Sequence, residues 1–448
     1  MQTRPSKPIS LSAAELENFI GIVLYMSLVK LATSRSYWSA EFRVDKVADA
    51  MPVNRFEEIK KFIHFADNAQ SSTDKLKKIR PILNFLRERF ATIPLEENLS
   101  VDEQMIPFKG ISSLKQYMAK KPHKWGYKMF VLSGVSGFAY NLELYAGKDD
   151  NVLMDGEVDC GASGNVVIRL ARTVPSDKNH KLYFDNYFNC PDLQIYLACR
   201  GILSLGTVRM NRVPQVNMPS EKTLKQRGRG SFVERVATVY DTKLSAICWY
   251  DNRVVNFLST FAGSQPVSEV SRWSKKDEQH VKVPCPSIVS VYNRHMGGVD
   301  LLDSLIGLYR SRLRSKKWYH KIFFHLLDVT VVNAWLLYKK TTAQNGGQDS
   351  SGRKIMRLHE FKLSVASALC CSGLNNRSEK KRGRPVETVH SAKRRKICPR
   401  VANDVHTDGV QHWPKWCTSR GRCKRQGCKG TSKVTCSKCK VHLFFTHS

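Results

Sequence analysis

Two aspartates three residues apart, Asp300 and Asp303, follow a glycine pair in Asn293-Arg294-His295-Met296-Gly297-Gly298-Val299-Asp300-Leu301-Leu302-Asp303. The glycines let one helix stop and another begin, and positions i and i+3 share a helix face, so both carboxylates point the same way. Carboxylates gathered on an apolar scaffold repel one another and lose solvation, so a cation, a shared proton or solvent must compensate. A divalent metal is the compensating group that brings chemistry with it. Taken alone, the window also fits a plainer reading, with Asp300 near the positive end of a helix dipole and Asp303 exposed. Two further acids change that balance. Asp102, in Asn98-Leu99-Ser100-Val101-Asp102-Glu103-Gln104-Met105-Ile106-Pro107-Phe108, and Asp185, in Lys181-Leu182-Tyr183-Phe184-Asp185-Asn186-Tyr187-Phe188, lie in windows that read as ends of buried strands. The aromatics around Asp185 are poor company for a casually solvated acid. Three acids from two strands and a helix can hold two hard, oxygen-preferring cations such as Mg²⁺ or Mn²⁺.

The elements that must deliver these acids are read from periodicity. Ser12 and Glu15 form a capping box for an amphipathic helix carrying Leu16, Phe19, Ile20, Val23 and Leu24; helices over 55–65 and 75–91 complete an all-helical segment, 1–96. Residues 97–210 then alternate strands (99–106, 128–133, 139–145, 181–184 and 202–209) with helices over 163–173 and through Leu193 and Ala198. This is a mixed α/β plan. Residues 211–290 read as a β-rich insertion: a basic turn, Arg227-Gly228-Arg229-Gly230, then antiparallel strands over 233–240, 244–250 and 254–260. The acid-bearing helix and a basic cluster, Arg310, Arg312, Arg314, Lys316 and Lys317, occupy 291–318, and a long apolar helix from His320 to Lys340 opens a helical segment, 319–372. Cations beside an acidic site suit a metal that acts on phosphate.

Composition points to the same partner. The 448 residues carry a formal charge of +33, which calls for a long polyanion and not for a small-molecule substrate. The most apolar early run, Phe19 to Val29, is too short to span a bilayer, and with no signal peptide in view no membrane role is expected. Of 13 cysteines, five fall between Cys417 and Cys439, which argues for a reduced compartment and a local metal site.

Within a basic linker, 373–410, Lys381-Arg382-Gly383-Arg384-Pro385 has the form of an AT-hook, whose Arg382-Gly383-Arg384 would lie in a narrow A·T minor groove; a solvated linker is the alternative. Lys393-Arg394-Arg395-Lys396 reads as a nuclear localisation signal. Residues 411–448 hold Cys423, Cys428, Cys436, Cys439 and His442, thiolates and an imidazole that favour tetrahedral Zn²⁺ over unrelated free thiols.

Several phrases, taken together, identify a family. Asn54-Arg55-Phe56-Glu57-Glu58-Ile59, Val101-Asp102-Glu103-Gln104-Met105, Lys121-Pro122-His123-Lys124-Trp125-Gly126, Phe184-Asp185-Asn186-Tyr187-Phe188 and Gly297-Gly298-Val299-Asp300-Leu301-Leu302-Asp303 resemble the piggyBac transposases and piggyBac-derived proteins. The resemblance implies a DNA-cleaving, strand-transferring enzyme with a ribonuclease-H-like core, an insertion, flanking helical dimerisation and DNA-binding parts, and a C-terminal zinc domain that reads transposon ends. It implies cut-and-paste movement through hairpinned ends into TTAA sites of double-stranded DNA, by a homodimer in the nucleus. Asp102, Asp185 and Asp300 match the family's metal-binding acids, and Asp303 a further acid. The family continues from Val-His-Leu into another cysteine, where this chain has Phe444, so one zinc site is expected and not two. A domesticated nuclear DNA-binding protein that no longer moves DNA is the alternative.

Overall fold

The computed structural model describes residues 9–67, 69, 72–119, 121–147, 152–214, 216–275, 277–344, 346, 354–372, 411–424 and 428–443. They fall into two compact units, 1–377 and 378–448. The Arg382-Gly383-Arg384 hook, Lys393 to Lys396 and Phe444 lie outside the described residues.

The first unit opens with α1 (Ala13–Leu28), α2 (Asp45–Ala48), α3 (Val53–Phe62) and α4 (Arg80–Ala91). Ser12 Oγ accepts the Glu15 N–H at 3.2 Å, and Glu15 Oε2 accepts the Ser12 N–H at 3.2 Å, so the capping box closes. Next come β1 (Asn98–Pro107), β2 (Gln116–Tyr117), β3 (Trp125–Gly134), β4 (Ala139–Leu144), α5 (Gly161–Ala171), β5 (Lys181–Phe184), α6 (Pro191–Cys199) and β6 (Leu203–Thr207). After α7 (Glu221–Arg227) follow β7 (Phe232–Val239), β8 (Thr242–Tyr250), β9 (Val254–Ser259), β10 (Ser268–Ser274) and β11 (Gln279–Cys285). Four helices close the unit: α8 (Ser287–His295), α9 (Gly298–Leu308), α10 (Trp318–Gln344) and α11 (Leu358–Cys370). The second unit contributes β12 (Pro414–Arg422) and β13 (Thr431–Cys436), an antiparallel pair.

The expected mixed α/β architecture is present as a nine-stranded sheet in the order β2-β3-β1-β5-β6-β9-β8-β7, with β4 also on β3. β1, β5 and β6 run parallel, and the other pairings are antiparallel. Parallel neighbours need crossovers, which α6 supplies between β5 and β6. The 211–290 stretch departs from the expected insertion. β9 pairs with β6 (Leu205 opposite Ser259), so β7 to β9 extend the main sheet, and only β10 and β11 form a sheet of their own. Alternation looks the same in a free-standing meander and in one that continues a neighbour's edge, so the pattern could not separate them.

Helix α10 is long and apolar enough to cross a membrane, which no stretch was expected to be. Ile322, Phe324, Leu326 and Val329 are nevertheless at most 2% exposed within the core. On α1, a Cβ at Gly21 would lie 2.8 Å from Cys370 N and 2.9 Å from Ala366 O, so α11 packs directly on the N-terminal helix.

Candidate metal and DNA site

Val101 lies opposite Phe184 where parallel β1 and β5 cease to pair, so Asp102, which continues β1, and Asp185, the first residue after β5, leave the paired ends of neighbouring strands together. Asp102 Oδ1 accepts the Glu103 N–H at 2.7 Å, and Asp185 Oδ1 accepts the Tyr187 N–H at 2.8 Å. Burial first, and the Glu103 charge second, push the Asp102 carboxyl up to about 7; burial raises Asp185 as well.

The third acid arrives on α9. Gly298 sits where a Cβ would be 2.3 Å from Gly134 O, 2.6 Å from Ser133 Oγ and 2.7 Å from Ser100 Oγ, so the helix rests against β1 and β3 with no room for a side chain. Asp300 is exposed in the first turn. Asp303 is half-buried, and burial pushes its carboxyl up to about 6 against the opposing charges of Arg310 and Lys121. Burial raises the Tyr292 phenol on α8, and the charges of Asp185, Asp102 and Asp300 add to the rise. Acids from three separate windows therefore lie within electrostatic reach of one side chain. Their oxygen-only donors suit a hard divalent cation, although among the described residues the three carboxylates are not gathered within 4.8 Å of one another.

Side chains that the sequence reading did not single out complete the surroundings. Glu103 lies 3.7 Å from Lys121 Nζ and 3.9 Å from Lys128 Nζ. Burial depresses the Lys128 amine, whose Nζ stands 4.2 Å over the Tyr187 ring. Strand alternation argues against joining Glu103 to Asp102, so only the fold reveals that they share a site. Behind it, Gln104 and His325 are buried, with His325 Nε2 3.1 Å from Gln104 Oε1. Gln104 Nε2, Asp303 Oδ1 and Arg310 Nη1 are all buried without a hydrogen-bond partner among the described residues, though the Gln104 amide is near enough to favour the Asp303 charge slightly.

The basic cluster is fanned out by its backbone. Ser311 and Leu313 turn inward while Arg312, Arg314 and Lys316 are exposed. The Ser311 N–H and Oγ–H donate to Asp328 at 2.8 and 2.9 Å, and Lys362 Nζ stands 2.9 Å from the same buried carboxylate. That anchor joins α10 and α11 to the basic stretch. Arg310 and Arg312 line a cavity of about 420 Å³ with His123, Lys321 and His325. Arg312 and Arg314 also line one of about 310 Å³ with Lys30 and Lys60. Lys317 Nζ instead donates to Lys61 O. Among the described residues, none of Arg310, Arg312, Arg314, Lys316 and Lys317 forms a salt bridge with an acid.

In the second unit the metal-ligating side chains regroup. Pro414 pairs with Cys436, which sets the start of β12 beside the Cys436–Cys439 turn. His412, Cys436 and Cys439 then present ligand atoms within 4.8 Å of one another, His412 Nδ1 being 3.3 and 3.4 Å from the two sulfurs. Two thiols and an imidazole fit zinc. Of the five expected ligands, Cys436 and Cys439 belong to this group, while Cys423, Cys428 and His442 do not. His442 bridges to Thr435 and covers Gly421, so its Nδ1 comes 3.9 Å from Cys417 Sγ. His412 was missed because it precedes the cysteines and no ligand spacing marks it.

The model of a family described as Transposase IS4 matches residues 1–335. Human PiggyBac transposable element-derived protein 3 is 31% identical over 441 residues, covering 97% of this chain and 69% of that protein. The chain belongs to the piggyBac transposase family. Another relative, human PiggyBac transposable element-derived protein 2, is 30% identical over 391 residues, 85% of this chain and 63% of that protein. The fold is shared with the piggyBac transposase solved by cryo-EM as a synaptic complex with hairpin DNA: TM-score 0.67, 17% identity, 99% of this chain and 89% of that one.

Proposed function

We propose that this piggyBac-family chain is a divalent-metal-dependent DNA transposase that cleaves DNA and transfers the cut strand. The observation that supports the reading is the β1–β5 register, which sets Asp102 on β1 beside Asp185 just after β5, with Asp300 on the helix packed against β1 and β3. Sheet order supports assigning the core as ribonuclease-H-like: β1, β5 and β6 parallel, with β3 and β4 antiparallel on the β1 side. Asp102, Asp185 and Asp300 would hold Mg²⁺ or Mn²⁺, with Asp303 at the edge of the cluster. When bound, the cations supply activation of an attacking hydroxyl and charge stabilisation of the departing oxygen. The chain's own part is positional. Lys121 and Lys128 offset Glu103, and the unpaired cations from Arg310 to Lys316 face phosphates on either side. The 411–448 region would carry zinc on His412, Cys436 and Cys439. A homodimer acting in the nucleus on transposon ends and TTAA targets completes the reading by family membership.

Nicking of supercoiled plasmid by the full chain tests it. Activity that needs Mg²⁺ or Mn²⁺ and disappears in Asp102→Asn, Asp185→Asn and Asp300→Asn, each still folded, is expected. Full activity in any one of these removes that acid from the site. The names of the human relatives, transposable element-derived proteins, favour a second reading, a DNA-binding protein without transposition. Salt-dependent DNA binding with no nicking in the unmodified chain would favour it.

A further inference from the structure

The hairpin joining β2 to β3 carries apolar surface that nothing described covers. Tyr117 pairs across the hairpin with Trp125, their ring centroids 4.8 Å apart, and Met118 N–H closes on Lys124 O at 2.8 Å. A cross-strand aromatic pair ordinarily stabilises a short strand by being buried. Here Tyr117 is 52% and Trp125 50% exposed, and Ile111 in the preceding loop is fully exposed. Lys115 Nζ stands 4.8 Å over the Trp125 ring, and His123 and Lys124 beside it are exposed. The hairpin is tied to the acid site as well. Lys121 Nζ donates to Glu103 O at 3.1 Å, and His123 lines the cavity that holds Arg310 and Arg312.

We propose that Tyr117 and Trp125 form a stacking platform for unpaired nucleotides of the DNA; this rests on the DNA-cleaving reading above. Two features select the ligand. Cations on and around the rings favour a polyanion over an apolar protein segment. The exposed half of each ring favours a base whose own face is free, since a duplex offers mainly phosphates and groove edges, which lysines alone can meet. Position agrees. Val131 on β3 pairs with Asp102, and Trp125 lies six residues earlier on the same strand. That is about 20 Å, or about six nucleotides at the 3.4 Å spacing of one strand. DNA held at the acids would therefore bring a frayed or opened end over the hairpin.

The test uses the full chain, a blunt duplex, and the same duplex bearing a single-stranded oligothymidine tail. Trp125→Leu keeps apolar packing but removes the aromatic face, whereas Trp125→Phe keeps both. The unmodified chain and Trp125→Phe should bind the tailed DNA more tightly than the blunt one. Trp125→Leu should lose roughly 5- to 150-fold on the tailed DNA while holding its blunt-duplex affinity. Equal losses on both DNAs, or an undiminished tail preference in Trp125→Leu, overturns the platform. Binding and nicking of blunt duplex with no tail preference overturns this inference and leaves the DNA-cleaving reading standing. Failure to bind either DNA removes both.

Discussion

Gly298→Ala asks whether the close seat of α9 on the sheet is what brings Asp300 to the other acids. The added Cβ would stand 2.3 Å from Gly134 O, inside the 3.0 Å limit for such contacts, so α9 must withdraw by at least 0.7 Å. The shortest of these contacts is to backbone, which cannot rotate away. Gly134 O belongs to β3 against β1, and Ser133 and Ser100, whose hydroxyls lie 3.1 Å apart, are fully buried. Overpacking of this kind costs ~1–3 kcal/mol. A shift approaching 1 Å at a reacting centre costs on the order of 100-fold in turnover. Gly307→Ala, on the same helix with nothing within 4 Å, is the control and should be neutral or stabilising by up to ~1 kcal/mol. Urea unfolding followed by circular dichroism measures the first effect, and Mg²⁺-dependent plasmid nicking the second. A Gly298→Ala protein with unchanged unfolding midpoint and unchanged nicking would refute the argument.

Lys362→Met strands the buried Asp328 carboxylate and should cost ~3–5 kcal/mol in thermal unfolding, partly restored when Asp328→Asn is added. Burial holds His320 down at about 4, so below pH 6.5 the unfolded chain takes up a proton that the folded chain refuses. Stability from His320 therefore falls as pH drops, by ~1 kcal/mol between pH 7 and pH 5.5. The raised carboxyls of Asp102 and Asp303 act in the opposite sense, so the effect is read as the difference between unmodified chain and His320→Asn; no difference in slope would contradict it. Elemental analysis should find about one zinc per chain, lost in His412→Ala or Cys439→Ser and kept in His442→Ala. Zinc loss in His442→Ala would return the ligand set to the one the spacing suggested.

What was legible in the sequence follows from which signals are local. β5 occupies the expected 181–184, and the Ser12 capping box closes as read, because alternation and capping act within a few residues. Asp185 was found because an acid at the end of an apolar run is conspicuous wherever the strand goes; Asp102, expected at a strand end, instead lies midway along β1, which runs on to Pro107 in pairing with β3. The partners of those acids were not: Glu103, Lys128 and Tyr292 join the site through sheet register and the placement of α8, which no spacing encodes. The basic cluster was seen as one run, but inward turns at Ser311 and Leu313 and the seat on Asp328 send its members into separate cavities. His412 shows the same limit, since a hairpin register, and not a ligand motif, carries it to Cys436 and Cys439.

The central claim, that Asp102, Asp185 and Asp300 hold divalent cations together, is tested most directly by iron-directed cleavage of the polypeptide. Fe²⁺ substituted for Mg²⁺, with ascorbate and peroxide, cuts backbone close to where it binds. Cuts clustered near residues 102, 185 and 300, suppressed by excess Mg²⁺ and absent in Asp102→Asn, are the predicted result. Cuts confined to other segments, or an unchanged pattern in Asp102→Asn and Asp185→Asn, would contradict the account.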